Sequence, residues 1–414
     1  MARGKENFDV AIIGGGPAGI MAAIKAGERG AKVVLIEKNP LLGKKLLITG
    51  GGRCNITQAE FNYKKFAEKL GKNGQFFLSS LSAFGPKEVI NFFEKNGLKT
   101  KTERGNRVFP VSDRAQDVLN VLLKCLDKNK VEILLNQKVS GLDVAGGVIE
   151  KVKLKEREII AGSFVLATGG AAYPGTGSTG QGYQWLEKMG HNIIKPMPAL
   201  APVEIKENWV SGLAGLTLKN VSAAVFQSGK KQDWRFGEML FTHSGVSGPI
   251  ILDLSKDIGR MMITGKGPVV LKIDLKPALD ISTLDKRLQR DFKGNKNFKN
   301  YLPELVPQKL GESIIGLTGI NPDKKLNSIS KEERKKLINV LKGFELTVKR
   351  VAGFGQAIIT SGGVDLREID SRTMRSKIIR NLFLAGEIID LDGPTGGYNL
   401  QICWSTGYAA GINA

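Results

Sequence analysis

Cysteine and histidine are scarce in this chain of 414 residues, which has three cysteines and two histidines. Cys54, Cys125 and Cys403 are far apart and form no CxxC pair, which excludes a dithiol relay of the adjacent kind. So few cysteines fit a reducing cytoplasm. The histidines are also far apart, and no HExxH motif, EF-hand loop or cysteine cluster occurs, so no metal site is expected.

The chain also lacks a long apolar run. No stretch approaches the roughly 18–20 apolar residues of a transmembrane helix, and residues 1–7 are too polar to open a signal peptide. A GxSxG nucleophile elbow is absent as well. We therefore expect a cytoplasmic protein with no membrane insertion.

Acidic residues are outnumbered, with 40 Asp and Glu against 61 Lys and Arg, and the net charge is +21. This balance favours anionic partners such as phosphate-bearing cofactors, acidic substrates or nucleic acid. The basic residues are scattered and rarely alternate with aromatic residues, as a platform for stacked bases would require. We therefore expect a solvated basic surface and no stable nucleic-acid partner. The oligomeric state is left open.

Glycine, in contrast, is abundant, with 51 residues that are clustered and not periodic. The first cluster, residues 14–19 (GGGPAG), follows a predicted strand at 8–13 and precedes a predicted helix at 20–29. A second strand at 32–36 ends at Glu37. Together these segments form a β-α-β unit, and within such a unit a GxGxxG motif indicates a dinucleotide-binding site.

Each position of this motif has a physical task. Gly14 allows a tight turn, Gly16 allows a pyrophosphate to approach the backbone, and Gly19 allows the helix to pack on the sheet. The helix N-terminus offers free N–H groups to phosphate. Glu37 is placed to accept hydrogen bonds from an adenosine ribose, and its charge would repel a 2′-phosphate.

Two further predicted strands lead into glycine-rich turns. Residues 159–165 lead into Ala167-Thr168-Gly169-Gly170, and residues 381–385 end at Gly386-Glu387. Another cluster at 393–397 precedes a predicted helix that runs to Gly411. Both ends of the chain are therefore expected to build one site, which requires a long ligand.

Several long segments resemble a known family. They are FDVAIIGGGPAGIMAA with VVLIEK, LLITGGGRCNIT at 46–57, ATGG at 167–170, FTHSGVSGPIILDLS at 241–255 and NLFLAGEIIDLDGPTGGYNLQICWSTGYAAG at 381–411. Along essentially the whole chain they look like the HI0933-like (BaiN/YhiN-type) flavoproteins, within the two-dinucleotide-binding-domain flavoproteins. More distantly, the chain is similar to glutathione-reductase-type flavoproteins and to the flavin domain of fumarate-reductase-like enzymes.

The resemblance implies an α/β fold with a Rossmann-like FAD-binding domain of the glutathione-reductase type. In such folds the first glycine loop and Glu37 hold the ADP half of FAD. The acidic residue after the C-terminal strand, here Glu387, holds the ribitol. The last helix begins near the flavin pyrimidine, with Asn399 as a plausible N-cap and the N–H groups of residues 400–402 facing the flavin C2 carbonyl.

The loop at residues 49–55 (TGGGRCN) is interpreted as a second cofactor contact, with Arg53 as a possible anion site. The alternative is a glycine-rich loop with a surface arginine. Lys44 and Lys45 either steer phosphate or are solvated. Cys54 is interpreted as a small loop residue, because no resolving cysteine is near in sequence. The full predicted FAD site is Gly14, Gly16, Pro17, Ala18, Gly19, Glu37, Lys38, Lys44, Gly50, Gly51, Arg53, Cys54, Asn55, Val139, Ala167, Thr168, Gly169, Gly386, Glu387, Gly397, Asn399, Leu400, Gln401 and Ile402.

Between His191 and about Ala352 the glycine-loop signals stop. Short alternating strands at 200–275 predict a β-rich part. Ser282 and Ser330 precede helix signals in a lysine-rich stretch.

We therefore predict a discontinuous FAD-binding domain, residues 1–190 and 352–414. A β-barrel-like plus helical domain, residues 191–351, is inserted in it and forms the substrate or cap domain. About 191–278 are expected to be β-rich and 279–351 helical.

Three residues are candidates for catalysis: His243, Tyr398 and Arg53. His243 lies on a Gly/Ser-rich turn from which it could protonate or orient a substrate. The alternative is a histidine that bonds its own loop. Tyr398 is a second candidate donor, with ring packing on the cofactor as the alternative. His191 is interpreted as a capping or surface residue.

The predicted function is an FAD-dependent oxidoreductase. Hydride would pass through flavin N5 between NAD(P)H and a small organic substrate. No second complete GxGxxG unit occurs, so any nicotinamide is expected to bind transiently. The alternatives are an amine oxidase that uses O2, an RNA-modifying flavoprotein, which +21 would favour, and a non-catalytic FAD-binding sensor.

Overall fold

The computed structural model describes residues 5–414, with side chains from residue 7 onward. It confirms the predicted fold class, a Rossmann-type α/β domain with an inserted barrel. The chain forms two compact units. Unit 1 comprises the chain up to Met197 together with Ile358–Ala414, and unit 2 comprises Pro198–Ala357.

Unit 1 contains twelve of the described strands, counting β10, which runs on to Ala199. Their bounds are β1 Lys5–Ile13, β2 Val33–Ile36, β3 Thr57–Gln58, β4 Thr100–Glu103, β5 Arg107–Pro110, β6 Glu132–Leu134, β7 Gly141–Ala145, β8 Val148–Lys153, β9 Glu158–Leu166, β10 Ile193–Ala199, β17 Ile359–Val364 and β18 Leu382–Leu384. Its α-helices are α1 Pro17–Glu28, α2 Tyr63–Glu68, α3 Gly74–Ala83, α4 Pro86–Lys95, α5 Ala115–Lys128, α6 Gln181–Lys188 and α12 Tyr398–Asn413.

A parallel sheet forms the centre of unit 1, with strand order β6-β2-β1-β9 and with β18 also parallel to β9. Val10 lies opposite Val33, and Ile13 lies opposite both Ile36 and Leu166. β2, β18 and the part of β1 from Val10 to Ile13 are completely buried, as is usual for the central strands of parallel sheets. The carboxyl ends of β1, β9 and β18 therefore meet at one edge, where their glycine turns follow.

Helix α12 packs directly on α1. A Cβ on Gly407 would lie 2.4 Å from the carbonyl oxygen of Ala18, and one on Gly411 would lie 2.4 Å from that of Ala22. Glycines four residues apart thus allow the two backbones to touch. This contact brings the last helix of the chain against the first.

Unit 2 contains a closed barrel with strand order β11-β14-β13-β12-β15-β16. Its strands are β11 Val203–Ile205, β12 Thr217–Gln227, β13 Lys230–Phe241, β14 Gly245–Ser247, β15 Val269–Asp274 and β16 Phe344–Val351. Its helices are α7 Pro249–Thr264, α8 Ile281–Asp291, α9 Phe298–Leu305, α10 Gly311–Thr318 and α11 Lys331–Lys342. Apolar residues of the barrel and of these helices form one core.

The structure corrects several details of unit 2. Helix α7 lies within the stretch predicted to be β-rich, and β16 closes the barrel from the stretch predicted to be helical. Helix α8 begins after Asp280, whose side chain accepts the N–H of Thr283 at 2.7 Å, and not after Ser282. The start of α11 is as predicted, because Ser330 and Glu333 form a reciprocal capping box.

Among residues 5–414, no helix is long and apolar enough to cross a membrane.

Candidate functional site

The three glycines of the first loop have different surroundings. A Cβ on Gly14 would lie 2.4 Å from the carbonyl oxygen of Ala167, and one on Gly19 would lie 1.9 Å from that of Gly14. Both glycines are thus required by packing of the protein on itself. A Cβ on Gly16 would meet no heavy atom within 4 Å. The loop is therefore open at Gly16, where the N-terminus of α1 favours an anion.

Glu37 is 8% exposed and lies beside this loop. Its Oε2 accepts the N–H of Gly15 at 2.7 Å, and its Oε1 accepts the backbone and side-chain N–H groups of Asn39 at 2.8 and 2.7 Å. The protein therefore fixes both carboxylate oxygens. Oε2 retains capacity to accept a further hydrogen bond, as a ribose hydroxyl would require.

The C-terminal acidic residue is also held in place. Lys45 Nζ donates to Glu387 Oε2 at 2.8 Å, and the backbone N–H of Thr360 donates to Oε1 at 2.9 Å. The hydroxyl of Thr360 accepts the N–H groups of Ala171 and Ala172 at 2.8 and 3.1 Å. Thr360 thus joins the turn after β9 to Glu387.

The second glycine loop turns through three consecutive positive φ angles, from Gly50 to Gly52, and Cys54 also has a positive φ of 61°. A Cβ on Gly51 would face open space. Cys54 is completely buried, and this burial raises the pKa of its thiol to about 12. The thiol is therefore protonated at neutral pH, in keeping with a packing role.

Arg53 does not offer an unpaired charge. Its Nε donates to Asp113 Oδ1 at 2.8 Å, its Nη2 also bonds Glu103, and its guanidinium lies 4.1 Å from the centre of the Phe109 ring. The two carboxylates, through these hydrogen bonds, hold the pKa of Arg53 above its usual value. An anion at this position would have to compete with them, so an anion site at Arg53 stays a prediction.

The start of α12 differs from the predicted one. The N-cap is Gly397, with φ of 101°, and Asn399 lies within the first turn of the helix. Its side chain instead bonds the preceding loop, because Oδ1 accepts the N–H of Gly393 at 2.9 Å and Nδ2 donates to the carbonyl of Gly393 at 2.8 Å. Asn399 therefore fixes the glycine loop that leads into the helix.

Gln401 is completely buried, and its side chain bonds the protein. Its amide donates to the carbonyl of Phe84 and to the hydroxyl of Ser405, both at 2.9 Å, and its Oε1 accepts the Thr57 hydroxyl. The side chain of Gln401 is therefore not available to a ligand. Its backbone N–H donates to the carbonyl of Gly397 at 3.1 Å. Ile402 is also buried, and Leu400 is half-buried.

The two proton-donor candidates lie in different units. Tyr398 is 7% exposed, and its ring centre lies 4.7 Å from that of Phe66 in unit 1. His243 is exposed on the turn between β13 and β14 in unit 2. His191 is buried, with Nε2 2.9 Å from the Ser376 hydroxyl, so its interpretation as a surface residue is wrong.

Further residues of the predicted FAD site also lie in unit 1. Lys38 Nζ donates to the Thr179 hydroxyl at 3.2 Å, and burial lowers the pKa of this lysine. Val139 is buried, Lys44 is half-buried, and Gly169 has a positive φ of 71°. Gly386 lies against α1, because a Cβ on it would be 2.8 Å from the Cβ of Ala18.

The family model for the HI0933-like protein Rossmann domain matches residues 8–413. The chain belongs to the HI0933-like family. It is 32% identical over 408 residues to a 3-dehydro-bile acid delta(4,6)-reductase of Clostridium scindens, covering 97% of this chain and 98% of that protein. It is 31% identical over 409 residues to a ribosomal RNA dihydrouridine synthase of Escherichia coli, covering 98% and 97%.

Solved structures share the fold of this HI0933-like protein at low sequence identity. The fumarate reductase subunit FrdA of E. coli quinol fumarate reductase matches with a TM-score of 0.54 and 17% identity, covering 99% of this chain and 70% of that one. A 3-ketosteroid delta1-dehydrogenase of Sterolibacterium denitrificans matches with a TM-score of 0.53 and 13% identity, covering 98% of both chains. With its family, this chain is an FAD-dependent oxidoreductase.

The residues present in the HI0933-like chain fit FAD. Packing does not explain the glycine at position 16, since a Cβ there would meet no protein atom. A Cβ on Gly51 would also face open space, although its positive φ of 67° by itself favours glycine. Asn55 Oδ1 and Gln58 Oε1 are buried without a hydrogen-bond partner, although such groups are nearly always paired. Open glycine positions and unsatisfied buried acceptors in the same unit are what a polar cofactor with its own donors would complete.

Gln58 was missed by the sequence analysis. Gln58 is 7% exposed, and its amide nitrogen donates to the carbonyl of Gly105 at 2.8 Å, which fixes Oε1 as the unsatisfied atom. A Cβ on Gly396 would lie 3.5 Å from that oxygen, so Gln58 adjoins the loop before α12. No motif marks Gln58, because its partner Gly105 is distant in sequence.

Proposed function

We propose that this enzyme reduces a carbon–carbon double bond that is conjugated to a carbonyl group, with NAD(P)H as the electron donor. The observation that carries the proposal is the shared chemistry of two relatives that align over nearly the whole chain. A 3-dehydro, delta(4,6) compound has its double bonds conjugated to a ketone. Uridine, which a dihydrouridine synthase saturates, has a ring double bond conjugated to a carbonyl.

The reaction balances with two hydrogens. NAD(P)H loses a hydride and becomes NAD(P)+, and the substrate gains this hydride at the carbon farther from the carbonyl. A proton then adds to the carbon next to the carbonyl, so one double bond is lost. Hydride transfer between the donor and the substrate is the chemistry that FAD would supply when bound.

The chain supplies binding, orientation and a proton. The open loop at Gly16 and the carboxylate of Glu37 would hold the ADP half of FAD, and Glu387 would hold its ribitol. The first backbone N–H groups of α12 would stabilise negative charge near the reacting ring. Unit 2 would serve as the substrate or cap domain.

We assign the proton to His243 before Tyr398. His243 is exposed and therefore accessible to a substrate, whereas Tyr398 is 7% exposed with its ring packed on Phe66. Arg53, paired with two carboxylates, is better suited to fixing the second glycine loop than to catalysis.

The substrate is either a small enone or a uridine in RNA. The small molecule is our first choice, as in the bile-acid reductase. The net charge of +21 favours the RNA candidate, because RNA is a polyanion.

Anaerobic stopped-flow reduction of the purified holoenzyme tests the donor. We expect NADH or NADPH to bleach the oxidised flavin band rapidly. This band lies at about 450 nm, a position set by the cofactor itself. Bleaching by amines but by neither nicotinamide would contradict the proposal and indicate an amine oxidase. A protein without flavin absorbance, even after FAD is added, would contradict the assignment of the cofactor.

Reoxidation of the reduced enzyme then tests the substrate. A 4-en-3-one steroid and a ribosomal RNA transcript without modifications are compared as oxidants under nitrogen. Rapid return of the flavin band with the steroid alone supports the small-molecule substrate, and return with the transcript alone supports RNA. If neither restores the band while O2 does, reduction of a conjugated double bond is not the activity.

A further inference from the structure

Two turns meet at one end of the barrel in unit 2. The first joins β12 to β13 through Ser228 and Gly229, and the second follows α7 and leads into β15. The Ser228 hydroxyl donates to the carbonyl of Lys266 in the second turn. The buried amide of Gln227 donates to the carbonyl of Met261, at the end of α7, at 3.0 Å. These hydrogen bonds hold the two turns against each other.

Large apolar side chains are exposed where the turns meet. Ile263, in the last turn of α7, is 66% exposed, the highest value for a large apolar side chain among the described residues. Its neighbour Met262 is 36% exposed. Trp234, on the strand that begins at the first turn, is 51% exposed. Apolar side chains that are exposed together indicate a contact surface.

The same two turns carry three exposed lysines, none of which forms an ion pair within the described part of the chain: Lys230, Lys231 and Lys266. The acidic residues nearest to them in sequence are paired with arginines instead. Asp233 Oδ1 lies 2.6 Å from Arg235 Nη1, and Asp257 Oδ1 lies 3.8 Å from Arg260 Nη1. The charges of the three lysines are therefore available to a partner. We define the barrel tip as Lys230, Lys231, Met262, Ile263 and Lys266.

We propose that the barrel tip binds the surface of a membrane that contains anionic lipids. Exposed aliphatic side chains enter the boundary between headgroups and acyl chains, and lysines beside them are attracted to anionic headgroups. Such binding is peripheral and requires no helix that spans the bilayer. The inference concerns binding alone and does not depend on the reaction proposed above.

The composition of the barrel tip selects this partner over others. Ile263 and Met262 have no ring on which a nucleobase could stack, so the tip lacks the platform that single-stranded nucleic acids require. A second copy of this chain would carry the same net charge of +21 and the same lysines, so two tips would repel each other. An anionic lipid surface instead offers both hydrocarbon and negative charge.

Co-sedimentation of the holoenzyme with lipid vesicles tests the proposal. We expect binding to vesicles of mixed phosphatidylcholine and phosphatidylserine, and much weaker binding to phosphatidylcholine alone. Lys231→Gln should weaken the binding to anionic vesicles by about fivefold, since one attractive charge is lost. Ile263→Ser should weaken it by about tenfold, since an apolar side chain no longer leaves water.

The barrel offers a matched control for each change. Ile281→Ser should bind as the wild type does, because Ile281 is 60% exposed but lies at the start of α8. Lys219→Gln should also bind normally, because Lys219 is exposed near the far end of β12 from the first turn. Melting temperature and FAD content verify that all variants are folded.

Ile263→Trp gives a second readout, because its emission should shift to shorter wavelength on anionic vesicles and be quenched by lipids with brominated acyl chains. Failure of the wild type to bind anionic vesicles would overturn the proposal. Wild-type binding by Ile263→Ser, with no emission shift in Ile263→Trp, would also overturn it and leave only adsorption of a basic chain. So would a change of oligomeric state in Ile263→Ser with unchanged vesicle binding, which would make the barrel tip a contact between copies.

Discussion

Lys45 and Glu387 form an ion pair with Nζ and Oε2 2.8 Å apart, although 342 residues separate them in sequence. Their side chains are 21% and 17% exposed, so the pair is largely shielded from water. Lys45 precedes the second glycine loop, and Glu387 follows the C-terminal strand. The pair therefore joins two segments that both resemble FAD-binding motifs.

Glu387→Gln should weaken FAD binding by about tenfold, because a charged acceptor for a ribitol hydroxyl is lost. Lys45→Met should lower the free energy of unfolding by about 1 kcal/mol, since Glu387 loses its counter-ion. FAD titration and thermal melts of both variants and of the double variant measure these effects. Equal FAD affinity for the wild type and Glu387→Gln would show that Glu387 has only a structural role.

Gly16→Ala and Gly19→Ala should separate cofactor binding from folding. A methyl group at position 16 meets no protein atom, so the variant should fold normally but bind FAD at least about tenfold more weakly. A methyl group at position 19 meets the carbonyl of Gly14, so this variant should lose about 1–3 kcal/mol of stability. Flavin-to-protein absorbance ratios and circular dichroism melts test both. A Gly16→Ala protein with full flavin content would contradict the assignment of this loop.

The thiols of the native protein should be unreactive. Burial raises the pKa of Cys54 and of Cys403 to about 12, and it also raises the pKa of Cys125. Because the thiolate is the reactive form, Ellman's reagent at pH 8 should label the thiols slowly until guanidinium unfolds the chain. Cys54→Ala should leave the rate of flavin reduction unchanged. Rapid labelling of Cys54 would instead reopen a redox role.

Asp365 should make stability depend on pH in the acid range. Hydrogen bonds from Arg367 hold the pKa of Asp365 well below its usual value, and Asn192 also donates to it. The unfolded chain thus binds the proton more tightly than the folded one. The stabilisation is complete above the unfolded pKa of about 4 and is lost as pH falls through the lower folded value.

Asp365→Asn should therefore lower the melting temperature at pH 7 and flatten its decline between about pH 5 and pH 2. Thermal melts across this range measure the effect. Asp323→Asn is the matched control, because the Asp323 side chain is 64% exposed and pairs with Lys299, whose side chain is 49% exposed. An identical acid profile for the wild type and Asp365→Asn would refute the linkage.

His243→Asn should slow proton transfer to the substrate by about 10²–10⁴-fold. Reduction of the flavin by NAD(P)H and the FAD content should be unchanged, because both precede this step. Single-turnover reoxidation by the substrate measures the slowed step, and Ser244→Ala on the same turn is the control. A normal rate in His243→Asn would make Tyr398 the preferred candidate for the donor.

Local patterns were sufficient to predict much of unit 1. The strand at 8–13, the glycine loop and Glu37 are contiguous, and each glycine has a task that a short segment can reveal. The structure confirms the β-α-β unit there, and Gly14 and Gly19 have the close contacts that their positions require. The capping box at Ser330 could also be predicted from the sequence, since both of its partners lie within one turn of the helix.

Tertiary contacts decided what local patterns could not. Asn399 lies within α12 because Gly397 adopts the conformation that begins the helix, and Arg53 is paired with acidic residues 50 and 60 positions away. Gln58 and Thr360 are likewise defined by neighbours far along the chain. In unit 2, β16 closes the barrel by pairing with β11 and β15.

The sequence by itself determined the fold class, the family and the segments that resemble FAD-binding motifs, because these depend on periodicity and on glycines at fixed short spacing. Only the tertiary structure decided which polar atoms are already satisfied and which aromatic rings remain exposed. Whether a carboxylate, an amide or a ring has a partner depends on packing between residues tens to hundreds of positions apart, which no local pattern encodes.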